Sequence, residues 1–178
     1  ITVRLVGSEM CIRDRLSDIY TLKKSMNQRL VIGLSALPGT GKTTLGLLIE
    51  RLSLKMDIKT SVVSMDDFYL PFKEMNMAIK DNPWNVSRGF PGSHSISLIE
   101  ERILEWKNTG KFNYPVFDKS LRNGLGDRSC WKIDFPEILI LEGWFLGVNK
   151  ISSQMISSEN VKPPLHTREI EYLSLIHI

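Results

Sequence analysis

The run Ala36-Leu37-Pro38-Gly39-Thr40-Gly41-Lys42-Thr43 constrains the chain more than any other feature. Before it lies Leu30–Ser35 (LVIGLS), an apolar, partly β-branched stretch that reads as a buried strand. After it Leu45, Leu48, Ile49, Leu52 and Met56 recur at helical spacing. Strand, glycine-rich turn and helix in that order fit G-x-x-x-x-G-K-[ST], with Ala36 in place of the first glycine. A chance glycine-rich turn would lack this context. Glycines at 39 and 41 let the backbone aim its N–H groups at phosphate oxygens. The helix adds its own unpaired N–H groups and the positive end of its dipole.

The motif assigns roles residue by residue. Lys42 reaches the β- and γ-phosphates, and the Thr43 hydroxyl ligates Mg²⁺. Pro38, Gly39, Thr40, Gly41, Lys42, Thr43 and Thr44 are the expected ATP site, with Lys42 also catalytic because it neutralises the phosphates.

The rest of the chain supplies an α/β order. Residues 60–65 (TSVVSM) read as a second buried strand. Residues 66–85 read as irregular and polar, with Pro71 and Pro83 as breakers. Ser97 and Glu100 have capping-box spacing, and Ile96, Ile99, Ile103 and Trp106 mark a helix face that stops at 108–110. Residues 114–134 read as a polar loop, and 138–141 as a third apolar strand. The expected fold is a P-loop NTPase, a three-layer α/β/α arrangement with a parallel sheet. The four tryptophans read as packing residues.

The domain is expected over 16–148. Residues 149–172 read as a linker and the start of an incomplete C-terminal part, with a helix beginning at 167–172. Residues 1–15 and 173–178 fit no motif found elsewhere and resemble translated read-through, so they are left out of the fold reasoning. A strand over 2–6 (TVRLV) is the second reading. The natural protein is expected to be longer.

Composition narrows the partners. Of 178 residues, 42% are hydrophobic, enough for one core. Basic and acidic residues number 23 and 20, a net charge of +3, which gives no electrostatic case for nucleic acid. No run approaches the ~18 apolar residues of a membrane span. Cys11 and Cys130 lie in no metal-ligand spacing and suit a reducing interior, so a cytoplasmic location is expected. The expected partner is a small molecule; the oligomeric state is left open.

Carboxylates stand at the expected strand ends. Asp66 and Asp67 follow the second strand directly, where an α/β sheet meets its ligand. A kinase acting on an alcohol needs a carboxylate to orient the hydroxyl and take its proton. One of the pair is the candidate base; the other binds Mg²⁺ through water or caps a turn. Glu142 ends the third strand and can hold the metal's hydration shell.

Four segments then carry a resemblance: GLSALPGTGKTT (33–44), SMDDFYL (64–70), RGFPGSH (88–94) with YPVFDKSLRNGLGDR (114–128), and EILILEGWFLG (137–147). Over 30–148 the chain resembles the D-glycerate 3-kinases of plants and cyanobacteria, within the wider group of uridine, phosphoribulose and pantothenate kinases. The resemblance implies a kinase that phosphorylates D-glycerate with ATP and Mg²⁺. It makes Asp66 the base and Glu142 the Walker-B carboxylate, a metal residue with Thr43. It puts Asp67, Arg88, His94, Asp118, Lys119 and Arg128 on the acceptor side. A carboxylate-bearing acceptor suits a guanidinium clamp from Arg88 or Arg128.

Two positions depart from the family pattern: Ser95 stands where GSHD has Asp, and Phe117 where YDKS has Tyr. Plant relatives work in chloroplasts. The alternative acceptors are uridine and pantothenate, and uridine would leave an arginine clamp without its carboxylate. The alternative class is a nucleotide-hydrolysing switch without an acceptor. It would not need the acid pair and two acceptor loops, and the guanine-reading N-K-x-D motif does not occur.

Overall fold

The computed structural model describes residues 9–26, 28–35, 39, 41–80, 86–144 and 146, without the side chains of 9–13 and 15. The elements are α1 (Glu9–Met26), β1 (Leu30–Ser35), α2 (Lys42–Leu54), β2 (Thr60–Ser64), a 3₁₀ turn (Met65–Phe68), α3 (Phe72–Ile79), α4 (Ile96–Thr109), β3 (Phe112–Asp118), β4 (Asp127–Asp134) and β5 (Ile138–Gly143). They divide into two compact units. The first holds the described residues up to 65 with 101–114 and 132–146; the second holds 66–100 and 115–131.

The first unit is built on a parallel sheet of order β1-β5-β2. Parallel neighbours cannot be joined by a tight turn, so α2 carries the chain from β1 to β2 and leaves the slot that β5 fills. Ile138 lies level with both Leu30 and Thr60, and Glu142 with both Leu34 and Ser64. This register brings the three carboxyl ends to one edge. Ile138 and Ile140 pack with Leu16, Leu30, Leu45, Ile49, Leu52 and Ile58. Leu139 and Leu141 alternate to the other face and are equally buried, so β5 is covered on both sides. Helices flank this sheet in an α/β fold, as the strand and helix periods require.

Helix α2 is seated closely on β2. A Cβ at Gly46 would stand 2.7 Å from Val62 Cγ1. One turn on, Glu50 Oε1 accepts the Val62 N–H at 2.7 Å. Among the described strands β2 is at the edge of the sheet, and this bond satisfies one of its amides. Trp106 is fully buried, its indole N–H donating to the Pro136 carbonyl at 2.9 Å, with Phe112 edge-on to its ring. Trp131 and Trp144 are exposed, against the packing role expected of them; Trp84 lies outside the described residues.

The second unit is more regular than the polar, proline-broken stretch 66–85 and the polar stretch 114–134 suggest. Helix α3 falls within 66–85. Pro71 precedes its first residue, a position proline tolerates. Its cap comes from far along the chain: Asp127 Oδ1 accepts the Phe72 N–H at 3.0 Å. Residues 114–134 are mostly β3 and β4, paired in a two-stranded sheet. β4 (DRSCWKID) is largely exposed and has no apolar alternation to betray it. Tyr69, Met75, Phe90 and Phe117 form the core of this unit. Helix α4 starts at Ile96, so Ser97 lies inside its first turn and is no capping box; the Ser95 carbonyl accepts the Ile99 N–H instead.

Helix α1 begins within residues 1–15, and of its described side chains Leu16, Ile19 and Tyr20 pack on the core. The expected strand at 2–6, the linker and helix at 149–172 and the stretch 173–178 lie outside the described residues.

Candidate active site

In the first unit, β1 runs into the glycine-rich turn and α2 out of it. Gly39 and Gly41 take φ of +77° and +84°, left-handed values that a side chain would strain. Gly41 ends the turn, its carbonyl accepting the Leu45 N–H at 2.9 Å. Gly41, which precedes α2, has no side chain to cap it, and Lys42, Thr43 and Thr44 form the first turn, the end of a helix that suits an anion. Pro38 and Thr40 lie outside the described residues.

Glu142 sits at the matching level of β5 and is buried. Its Oε2 is enclosed without a hydrogen-bond partner. A buried carboxylate oxygen left unpaired is costly. A hydrated Mg²⁺, shared with the Thr43 hydroxyl and phosphate oxygens, would satisfy it, so these residues fit the metal. Among the described residues no cluster of three His, Cys, Asp or Glu could hold a metal alone.

In the second unit Lys119, His94 and Tyr69 face the carboxylate of Asp66, in the 3₁₀ turn after β2. Lys119 Nζ lies 2.7 Å from Oδ2, His94 Nε2 lies 3.8 Å from Oδ1, and the Tyr69 hydroxyl hydrogen-bonds to the same carboxylate. Burial alone would raise the Asp66 pKa; the imidazole and the ammonium outweigh it and hold the carboxyl well below its ordinary range. Burial, with Asp66 beside it, pushes the Tyr69 phenol upward, so Tyr69 stays a neutral donor. Tyr69 stacks on His94 at 4.3 Å, and Ser93 Oγ meets His94 Nδ1 at 3.3 Å.

The other predicted acceptor residues in this unit make internal bonds. Arg88 Nη1 donates to the carbonyls of Gly124 and Leu125 at 2.8 and 3.1 Å. Arg128 Nε donates to the Tyr69 carbonyl at 3.0 Å and its Nη2 to Ser95 Oγ at 2.7 Å. Asp67 Oδ1 accepts the Phe117 N–H at 3.1 Å. Asp118 Oδ1 accepts the N–H and hydroxyl of Ser120, which lower its pKa and close a turn at the end of β3. Asp66, His94 and Lys119 are thus gathered at one carboxylate, while Arg88, Arg128, Asp67 and Asp118 brace the loops around it.

Tyr69 and Ser93 were not foreseen as site residues. Tyr69 stands three residues after Asp66 inside the DDFYL segment; its placement there was the available signal.

No protein-family model matches the chain. The chain is 32% identical to a chloroplastic D-glycerate 3-kinase of Arabidopsis thaliana over 154 residues, 80% of this chain and 34% of that protein. A Saccharomyces cerevisiae protein described as a probable ATP-dependent kinase is 36% identical over 137 residues, 68% of this chain and 47% of its own length. The solved structure of a D-glycerate 3-kinase from Cryptococcus neoformans superposes with a TM-score of 0.69 at 26% identity, covering 82% of this chain and 56% of that one. The fold is that of the P-loop kinases. Within the P-loop kinases, the chain resembles the D-glycerate 3-kinases. It spans about a third to a half of the length of the curated relatives it matches. Among the described residues no helix is long and apolar enough to cross a membrane.

Proposed function

We propose that this chain is the nucleotide- and acceptor-binding part of an ATP-dependent kinase for a small hydroxy acid, D-glycerate, yielding 3-phosphoglycerate. The observation that carries this reading is the Asp66 carboxylate, set immediately after β2 and ringed by Lys119, His94 and Tyr69. A switch that hydrolyses nucleotide without an acceptor has no use for such a cluster. The similarity to named D-glycerate 3-kinases supports the choice of acceptor.

In this reading residues 38–44 hold ATP. Thr43 and Glu142 hold Mg²⁺, which when bound draws charge from the phosphates. Lys42 supports the same negative charge. Asp66 orients the acceptor hydroxyl. Its oxygen bonds to the γ-phosphorus, its proton passes to the Asp66 carboxylate, and the bond to the β–γ bridging oxygen breaks with its electrons leaving in ADP. Asp67, Arg88, Asp118 and Arg128 shape the acceptor loops, and His94 and Lys119 set the state of the base. Rate enhancement comes from positioning and electrostatics. The free, exposed thiol of Cys130 is consistent with a reducing cytoplasmic setting.

ADP release with Mg·ATP, measured with and without D-glycerate, uridine and pantothenate, tests the proposal. Release should require D-glycerate and vanish in Asp66→Asn while ATP affinity stays within about twofold; undiminished turnover in that variant would remove Asp66 from the role of base.

A further inference from the structure

We propose that Lys119 is an exchange cation: in the resting site it occupies the Asp66 carboxylate, and an anionic acceptor draws it off, freeing Asp66 only for substrates that carry a negative charge. This rests on the reading of Asp66 as the base.

Lys119, His94 and Tyr69 all reach Asp66, and they differ in how firmly they are held. Tyr69 is buried, stacked on His94, and tied through its neighbours by the bonds Leu70 N–H to Ser93 O and Ser95 N–H to Phe68 O, at 2.9 and 2.8 Å. The His94 side chain is 7% exposed and contacts Ser93 at its other nitrogen. Lys119 is 55% exposed, on a flexible stem where β3 gives way to its loop. It is the donor that can leave. An ion pair this exposed favours the paired state by less than about tenfold, so a competing carboxylate can displace it.

The arginines strengthen the case. Arg88 spends Nη1 on two loop carbonyls, and Arg128 spends Nε and Nη2 on Tyr69 and Ser95. Both make these bonds as braces of the loops. Among the described residues Lys119 pairs with Asp66 while more than half of its side chain is exposed. While it stays there, it occupies one oxygen of the base and lowers its basicity; when it pairs with the acceptor's carboxylate, it no longer competes with the acceptor hydroxyl for that oxygen. A neutral polyol offers no such exchange. The device is therefore a selectivity filter for hydroxy acids that acts through the base itself.

The test compares D-glycerate with glycerol, which lacks the carboxylate, as acceptors for wild type, Lys119→Met and Lys119→Arg. Wild type and Lys119→Arg should prefer D-glycerate. In Lys119→Met the preference in kcat/KM should fall by roughly 10- to 100-fold, the range of one charge-assisted hydrogen bond. The acid limb of kcat/KM should also move to higher pH, because the free enzyme's Asp66 loses a cation while His94, Tyr69 and the nearby Arg88 remain. An unchanged preference in Lys119→Met would overturn the proposal. So would an equal loss with both acceptors and an unmoved acid limb, which is the signature of a merely structural lysine. Turnover surviving in Asp66→Asn is a separate result: it would sink the base assignment whatever Lys119 does.

Discussion

Gly46→Ala should destabilise the protein although alanine is the better helix residue. In an unconstrained helix this change gains about 1 kcal/mol. Here the new Cβ would meet Val62 Cγ1 at 2.7 Å and Val62 Cβ at 3.3 Å. Carbon atoms settle at about 3.5–4.0 Å, so α2 must retreat from β2 by about 1 Å. Val62 is β-branched and cannot turn aside cheaply. Such overpacking costs about 1–3 kcal/mol. The same retreat stretches the 2.7 Å bond from the Val62 N–H to Glu50; a bond to a charged group contributes about 1.5–3 kcal/mol when intact. The net expectation is a loss of about 1–3 kcal/mol, or about 2–4 °C in Tm for each kcal/mol at this chain length. Urea or thermal unfolding of Gly46→Ala, Val62→Ala and the double variant measures it. Val62→Ala removes the methyls in the way, so the double variant should be more stable than the sum of the singles by about 1 kcal/mol. Because α2 also carries Lys42 and Thr43, ATP affinity should fall with stability and recover in the double variant. A Gly46→Ala protein as stable as wild type would refute the close-approach argument.

Asp127→Ala should cost about 1 kcal/mol by uncapping α3, whereas Asp127→Asn keeps an acceptor for the Phe72 N–H and should cost less; equal losses would mean that the ion pair with Arg122, not the cap, matters. Asp66 should make stability pH-dependent in acid. Its folded pKa lies below the ordinary 3.8, so its contribution is complete above that value and is lost as pH falls through the folded pKa. The stability gap between wild type and Asp66→Asn should therefore close below about pH 3.8 in acid unfolding curves; a gap constant down to pH 2 would contradict the assignment.

The parallel sheet, its order of elements and the phosphate loop were legible in the sequence because each rests on local pattern. LVIGLS, TSVVSM and ILIL are short apolar runs of strand length, although in the structure only β5 is buried nearly throughout and β1 keeps just Leu30 buried, and the glycine spacing at 39 and 41 belongs to the loop itself. Helix α3 and strand β4 were not legible. The Asp127 that caps α3 lies 55 residues beyond it, and β4 is exposed without an alternating face. The candidate site divides the same way. Asp66, Glu142 and Lys42 announce themselves by standing at strand ends and in the motif. What each acceptor-side residue touches depended on chain segments far apart in sequence: Lys119 on Asp66, Arg88 on Gly124, Arg128 on Ser95. Residue type told which groups could carry charge, because that is a property of the side chain. Only the tertiary structure decided which charges meet, because pairing is set by distances that no local pattern encodes.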